Sequence, residues 1–399
     1  MTSCTGSAAQ SAASNWGLPL HAVVLGAFFG ASAAPTPLYR IYQETFALSP
    51  LLTTAIFAVY ALALLKALLV AGSISDHLGR RPVIFVALLM EIASMGLFVA
   101  ADGAGWLIAA RLVQGLATGV AASSLGAALV DIDRGRGQLV NSLAPLLGMA
   151  FGASGAAALV QYGPHPLHLA YAILGLAFAV LAGALWLTPE TGGWKPGVMR
   201  SLRPRILIPQ QVRRSLLAIT ATNVAGWMVG GFYLSLVPSL VVAATGSRAP
   251  MTGGMVVTVL MLAGAAAVLA RRTKPAMSNL TIGTFAMVAG ILVVLAGMHG
   301  GSVPVMVGGT LLGGLGFGAC FLGSVGCVMP LAKPDERAGL LAAFYVQSYL
   351  AFSLPAVLAG YLVLTLGYTV TADAYAAVIV AMCLAGLVTR RILMRRDAR

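Results

Sequence analysis

The chain has 399 residues, 59% hydrophobic and 9% charged, with a formal net charge of +13 and a mean hydropathy of +0.92. A soluble domain is nearer half apolar and a quarter charged, so a water-soluble globular fold of this length is excluded. Nucleic acid does not account for the basic excess either, because Lys and Arg fall in short segments between apolar runs.

Twelve apolar runs follow one another: 18–38, 52–71, 82–101, 104–130, 139–161, 167–187, 215–244, 251–270, 279–298, 303–330, 339–366 and 372–394. Runs of about 20 apolar residues read as membrane-spanning helices. Barrel strands are excluded because the runs are long and do not alternate. The expected fold class is therefore an all-α integral membrane protein with twelve transmembrane helices in two pseudo-symmetric six-helix bundles. The first 17 residues lack Lys and Arg, so no cleavable signal peptide is expected.

With both termini in the cytoplasm, the loops and tail on that side hold 20 of the 24 basic residues, and the opposite loops hold two, Arg40 and Arg248. This asymmetry sets the expected orientation. The longest loop, 188–214, is basic and divides the spans six and six. The expected organisation is a tail at 1–17, bundles at 18–187 and 215–394, the linker between them, and a tail at 395–399. A half-to-half repeat fits it: LVQGLATG at 112–119 and LLGGLGFG at 311–318 each lie in the fourth span of a half. Cys4, Cys320, Cys327 and Cys383 lack metal-ligand spacing, so no metal is expected and small buried residues are the better reading.

Between spans two and three stands GSISDHLGRR, with Gly72, Asp76, Gly79, Arg80 and Arg81. In that loop of a six-plus-six protein it resembles the signature loop of the major facilitator superfamily. RLVQG, Arg111 to Gly115, is similar to the family's span-four signature. The fifth-span run with Gly148, Gly152 and Gly155 resembles the glycine run of its exporters, although Ala153 stands where Pro is expected. APTPLYRIY at 34–42 and PDERAG at 334–339 are similar to segments of bacterial members of the drug and metabolite exporter type. The resemblance implies the bacterial inner membrane, alternating access, and a monomer with no nucleic-acid partner. It also implies that the loop ties the halves together when the cytoplasmic side is shut. Asp76 would then lie at the start of span eleven near Arg337, with Asp131 and Asp133 available to Arg80 or Arg81.

Several charges fall inside spans. Lys66 lies about 9 Å and Glu91 about 14 Å from the cytoplasmic ends of spans two and three at 1.5 Å per residue. As antiparallel neighbours these spans would let the two pair, or Lys66 could snorkel to the surface. Glu91 is a candidate proton carrier or one member of a structural pair. Arg111, Gln114 and Thr118 form a polar stripe on span four. The resemblance implies proton coupling for Arg111, with a structural anchor as the alternative. His21 is a further titratable candidate. Ser32, Asn223, Trp227, Tyr345, Gln347, Tyr349 and Phe352 are candidates for a cavity lining suited to a moderately apolar organic molecule, with core packing as the alternative.

The expected function is secondary transport of a neutral or anionic small organic molecule, energised by a proton gradient, with no cofactor and no catalytic residues. No GxxxxGK[ST] motif supports ATP drive. Export by antiport is favoured over proton-coupled uptake of an organic anion through Arg111. A remote third reading is an intramembrane serine hydrolase at Ser154 in GASG.

Overall fold

The computed structural model describes the backbone of residues 5–247 and 249–397, and among these residues it contains helices and no strand. Arg248, Cys4 and the outermost tail residues named above lie outside the described residues. We number the membrane-length helices α1 (Thr5–Ala33), α2 (Pro50–Ala71), α3 (Arg80–Val99), α4 (Ala104–Ile132), α5 (Arg134–Tyr162), α6 (Leu169–Ala184), α7 (Arg213–Ser235), α8 (Pro250–Arg271), α9 (Ala276–His299), α10 (Val303–Val328) and α11 (Arg337–Asp397). Helix starts follow local chemistry: the Ser49 side chain accepts from Leu52 N at α2, and Asp133 accepts from Gly135 N and Arg136 N at α5.

Eleven helices thus stand where twelve spans are expected, because α11 is two spans. A straight helix of 61 residues would reach about 90 Å, three times a bilayer core. At Gly367 the backbone leaves helical geometry (φ 77°, ψ 174°), a conformation open to glycine. Contacts at both ends place the reversal there. Gly360 approaches Thr54 at the start of α2, whereas Arg390 reaches Thr284, two turns into α9. The helix runs unbroken through Pro355.

Other boundaries move as well. α1 begins at Thr5, so most of the expected 1–17 tail is helical, and α11 extends through 395–397. The seventh span breaks after Ser235, and a short helix, Val237–Thr245, continues it with Pro238 in its first turn.

The repeat is visible in packing. α4 packs on α2 and α10 packs on α8, so the fourth helix of each bundle lies on the second. A methyl added at Gly119 would sit 2.6 Å from the Leu64 carbonyl, and one at Gly314 would sit 2.6 Å from the Leu260 carbonyl. Glycine at these two places lets the helices touch backbone to backbone.

We call the end of the bundles where α1 begins and α11 finishes the terminal end, and the other the distal end. α5 packs on α8 and α2 on α11 across the two bundles. Described hydrogen bonds between bundles lie distally or near the middle: Thr36 Oγ1 donates to Leu234 O (3.0 Å), Met251 N to Gln161 Oε1 (3.1 Å) and Thr258 Oγ1 to Ala150 O (3.1 Å). At the terminal end the described hydrogen bonds run through the linker instead. Ser73 Oγ donates to Ser201 O, Leu207 N to Gly339 O and Gln211 Nε2 to Glu336 Oε2.

Glycines of the fifth-span run differ in role. Gly148 and Gly152 face the Gly26 and Gly30 backbone of α1, where no Cβ fits, while Gly155 faces open space. Gly155 is therefore not a packing position. Gly152→Leu is expected to lower the thermal unfolding midpoint by several degrees, because overpacking costs about 1–3 kcal/mol. Gly155→Ala should leave the midpoint unchanged in the same assay.

Candidate functional site

Arg111, Gln114 and Thr118 recur on one face of α4, and all three are fully buried. Arg111 donates from Nη1 to Ser32 O at 2.9 Å and to Gln114 Oε1 at 2.7 Å, and from Nη2 to the Tyr39 hydroxyl. Its guanidinium lies 5.1 Å from the Tyr60 ring centre and 5.6 Å from that of Tyr39, a cation–π arrangement. Gln114 donates from Nε2 to Glu91 Oε1 and to Ala31 O, both at 3.1 Å. A chain Glu91–Gln114–Arg111–Tyr39 results, carried by α3, α4 and the short helix Tyr39–Thr45 that follows the Pro35–Pro37 turn. Glu91 is 0% exposed, and its Oε2 and Arg111 Nε have no partner.

The position of Glu91 corrects the expected pairing with Lys66. α4 lies between α2 and α3, which make no substantial contact with each other. Glu91 consequently turns toward Gln114, while Lys66 is exposed on α2. Topology decides this: consecutive spans need not be neighbours when a third inserts. His21 is buried, and its Nδ1 lies 2.6 Å from Gly17 O within its own helix. Ser32 and Thr118 donate to Phe29 O and Gln114 O, one turn back.

The cavity candidates of α7 and α11 form one aromatic wall. Trp227 lies 5.0 Å from Tyr349 and 5.8 Å from Phe352 between ring centres, and Tyr345 lies 6.0 Å from Tyr349. Phe57 of α2 joins from the other bundle, 4.9 Å from Phe352. Phe57 and Tyr60 share a face of α2, so the wall adjoins the polar chain through Tyr60. At ten residues from Pro50, Tyr60 is about 15 Å deep, near mid-membrane. Asn223 Nδ2 donates to Ser348 Oγ at 3.1 Å, and Gln347 Oε1 is unpartnered.

In the charged loop, Arg80 Nη1 donates to Asp76 Oδ1 and Ser75 Oγ, and Nε to Asp131 Oδ2 at 3.1 Å. Asp76 therefore sits against Arg80, one turn along, and not at the start of α11, where Arg337 Nε donates to Ala332 O. Asp133 caps α5 and is not a partner of Arg80 or Arg81. Arg81 donates to Thr188 O and lies over Trp186. The difference follows from the bundles meeting directly at the distal end, which leaves the loop to bind its own half. Gly72 has the ordinary helical geometry of an α2 cap, whereas Gly79 has φ +93°.

Two participants escape sequence reasoning. Glu190 receives Arg80 N at 2.7 Å and Arg81 N at 3.0 Å, so a linker carboxylate caps α3. The lone acid in TPETGG just after an apolar run is the available signal. Tyr39 is visible only as one of the two tyrosines in APTPLYRIY.

Membrane-length helices in two like bundles, with a buried polar chain beside an aromatic wall between them, define a polytopic membrane transporter. The Major Facilitator Superfamily model matches residues 20–338, and the chain belongs to that superfamily of secondary transporters. No curated protein matches the sequence. Among solved structures, the human organic anion transporter MFSD10 (TETRAN) is similar with a TM-score of 0.66 and 18% identity, covering 94% of this chain and 99% of that one. The nucleoside transporter NupG is similar with a TM-score of 0.72 and 11% identity, covering 93% of this chain and 98% of that one. At these identities the likeness shows the fold.

Proposed function

We propose that the chain exports a neutral or anionic, moderately apolar small organic molecule in exchange for protons. The carrying observation is the Glu91–Gln114–Arg111–Tyr39 chain beside the aromatic wall. An ionised carboxylate is costly to enclose in a membrane bundle, so proton exchange at Glu91 is linked to opening and closing of the halves. The wall offers stacking surface to an organic ring, and the Arg111 guanidinium, 5.1 Å from the Tyr60 ring centre at its edge, disfavours a strong cation. The structurally similar human protein is an organic anion transporter, which agrees with this substrate class. Alternating access would exchange the distal contacts for terminal ones, with the Asp76–Arg80–Asp131 cluster re-pairing across the halves. In the membrane we place both termini in the cytoplasm, from the basic loop asymmetry, and take a bacterial inner membrane and a monomer as the working arrangement.

Uptake of an organic anion by direct binding to Arg111 has less support, because Ser32, Gln114 and Tyr39 hold three of its five N–H donors, at least one on each terminal nitrogen. The hydrolase reading fares worse. Ser154 Oγ donates to Ala150 O at 2.8 Å, and no described hydrogen bond joins it to a histidine that could act as a base. Ser154→Ala is expected to leave transport within about twofold, in line with ordinary surface substitutions.

The proposal is tested in proteoliposomes with an imposed pH gradient and a panel of neutral, anionic and cationic organic compounds. Accumulation of an uncharged or anionic compound with counter-movement of protons is the expected result. Accumulation driven by sodium and indifferent to protons would overturn the coupling, and exclusive transport of cations would overturn the substrate class.

A further inference from the structure

Arg390 is a second buried guanidinium, and the polar chain around Arg111 does not involve it. It sits on the returning arm of α11 and is 3% exposed, so it is not one of the solvated cytoplasmic-side basic residues with which the charge count groups it. Nη2 donates to Thr284 Oγ1 on α9 and Nε to Gly386 O, both at 3.0 Å. Nη1 has no partner, and neither have Thr222 Oγ1 and Ser324 Oγ, although both side chains are fully buried.

These groups converge from four helices. Thr222 of α7 abuts Gly386. Cys320 of α10 holds its Sγ 4.0 Å from Thr284 Oγ1, and Ser324 follows Cys320 by one turn. No described carboxylate offsets the charge. Asp373 pairs with His299 at the distal end, Glu336 holds Gln211 and Lys333 N at the terminal end, and Asp335 is exposed in the same loop. A cation enclosed among helices without a counter-charge is costly, and unsatisfied buried hydroxyls add to that cost. An anion received by Nη1 and the two hydroxyls would relieve both.

Size narrows the class. A recess of about 10 Å³ beside Trp227 reaches Thr222 and Cys320 but is not lined by Arg390 or Ser324. So small a space excludes an organic acid, and even a monatomic anion enters only as the side chains around the guanidinium give way. We propose that Arg390, Thr222 and Ser324 form a binding site for one small inorganic anion, chloride being the abundant representative. The site lies within the second bundle and is independent of the proton-coupling reading.

The experiment titrates potassium chloride against potassium gluconate at constant ionic strength on the purified full chain, reading the thermal unfolding midpoint. A saturable rise with chloride is expected for the wild type and for Arg391→Gln, the exposed neighbour. Arg390→Gln should lose the response. If Arg390→Gln does not fold, Thr222→Val with Ser324→Ala retains the guanidinium and should raise the half-effective chloride concentration by about tenfold or more, as loss of hydrogen bonds to a charged partner requires. A wild type indifferent to chloride, or a double variant that responds like the wild type, overturns the site.

Discussion

Glu91→Gln is expected to abolish proton-gradient-driven accumulation while leaving downhill exchange of the same substrate within about threefold, under 1 kcal/mol. The substitution is nearly isosteric. Its amide oxygen can still accept from Gln114 Nε2, the contact that Glu91 Oε1 makes at 3.1 Å, so helix positions should persist. Only the capacity to take and release a proton is removed. The unpartnered Oε2 becomes an amide nitrogen, an additional but neutral group. Measuring both modes in one proteoliposome preparation separates carrier from scaffold. Retained accumulation in the variant would show Glu91 to be structural, and equal loss of both modes would point to damaged packing.

Arg111 is expected to be the more damaging site. Its guanidinium makes three hydrogen bonds on three elements, and bonds to a charged group contribute about 1.5–3 kcal/mol each. Arg111→Gln should therefore reduce transport in both modes by a hundredfold or more, since about 2.7 kcal/mol corresponds to that factor. Arg111→Lys keeps the charge but not the planar fork that serves Ser32 and Gln114 together, and should recover less than about a tenth of the activity. Full activity in the lysine variant would reduce the role of Arg111 to charge alone. The two sites also share Gln114, so Glu91→Gln combined with Arg111→Gln should be non-additive. Additive losses would break the chain into unrelated residues.

The way these charges are housed explains what the sequence discloses. Glu91 and Arg111 stand out because an ionisable residue in an apolar run demands a partner. Which partner is a matter of neighbours. Sequence order favours α2 against α3 and hence Lys66 with Glu91, but α4 intervenes, and Gln114 takes the place of the lysine. The same limit applies to Arg390. Two arginines near the end of the last apolar run look like topology signals, and only the packing of α7 and α9 against the returning arm encloses one and leaves Arg391 exposed.

By itself the sequence determined that this is a polytopic helical membrane protein, divided by a basic linker, with small residues at matching places in its fourth and tenth spans. Those properties depend on local composition and on the cost of exposing backbone to lipid, which every segment carries within itself. Tertiary structure decided which buried charges meet, that Asp76 binds Arg80 within its own loop, and that Glu190 returns from the linker to cap α3. It also turned α11 back at Gly367. Each of these depends on contacts between segments far apart in the chain, where partner choice is set by the order in which helices pack.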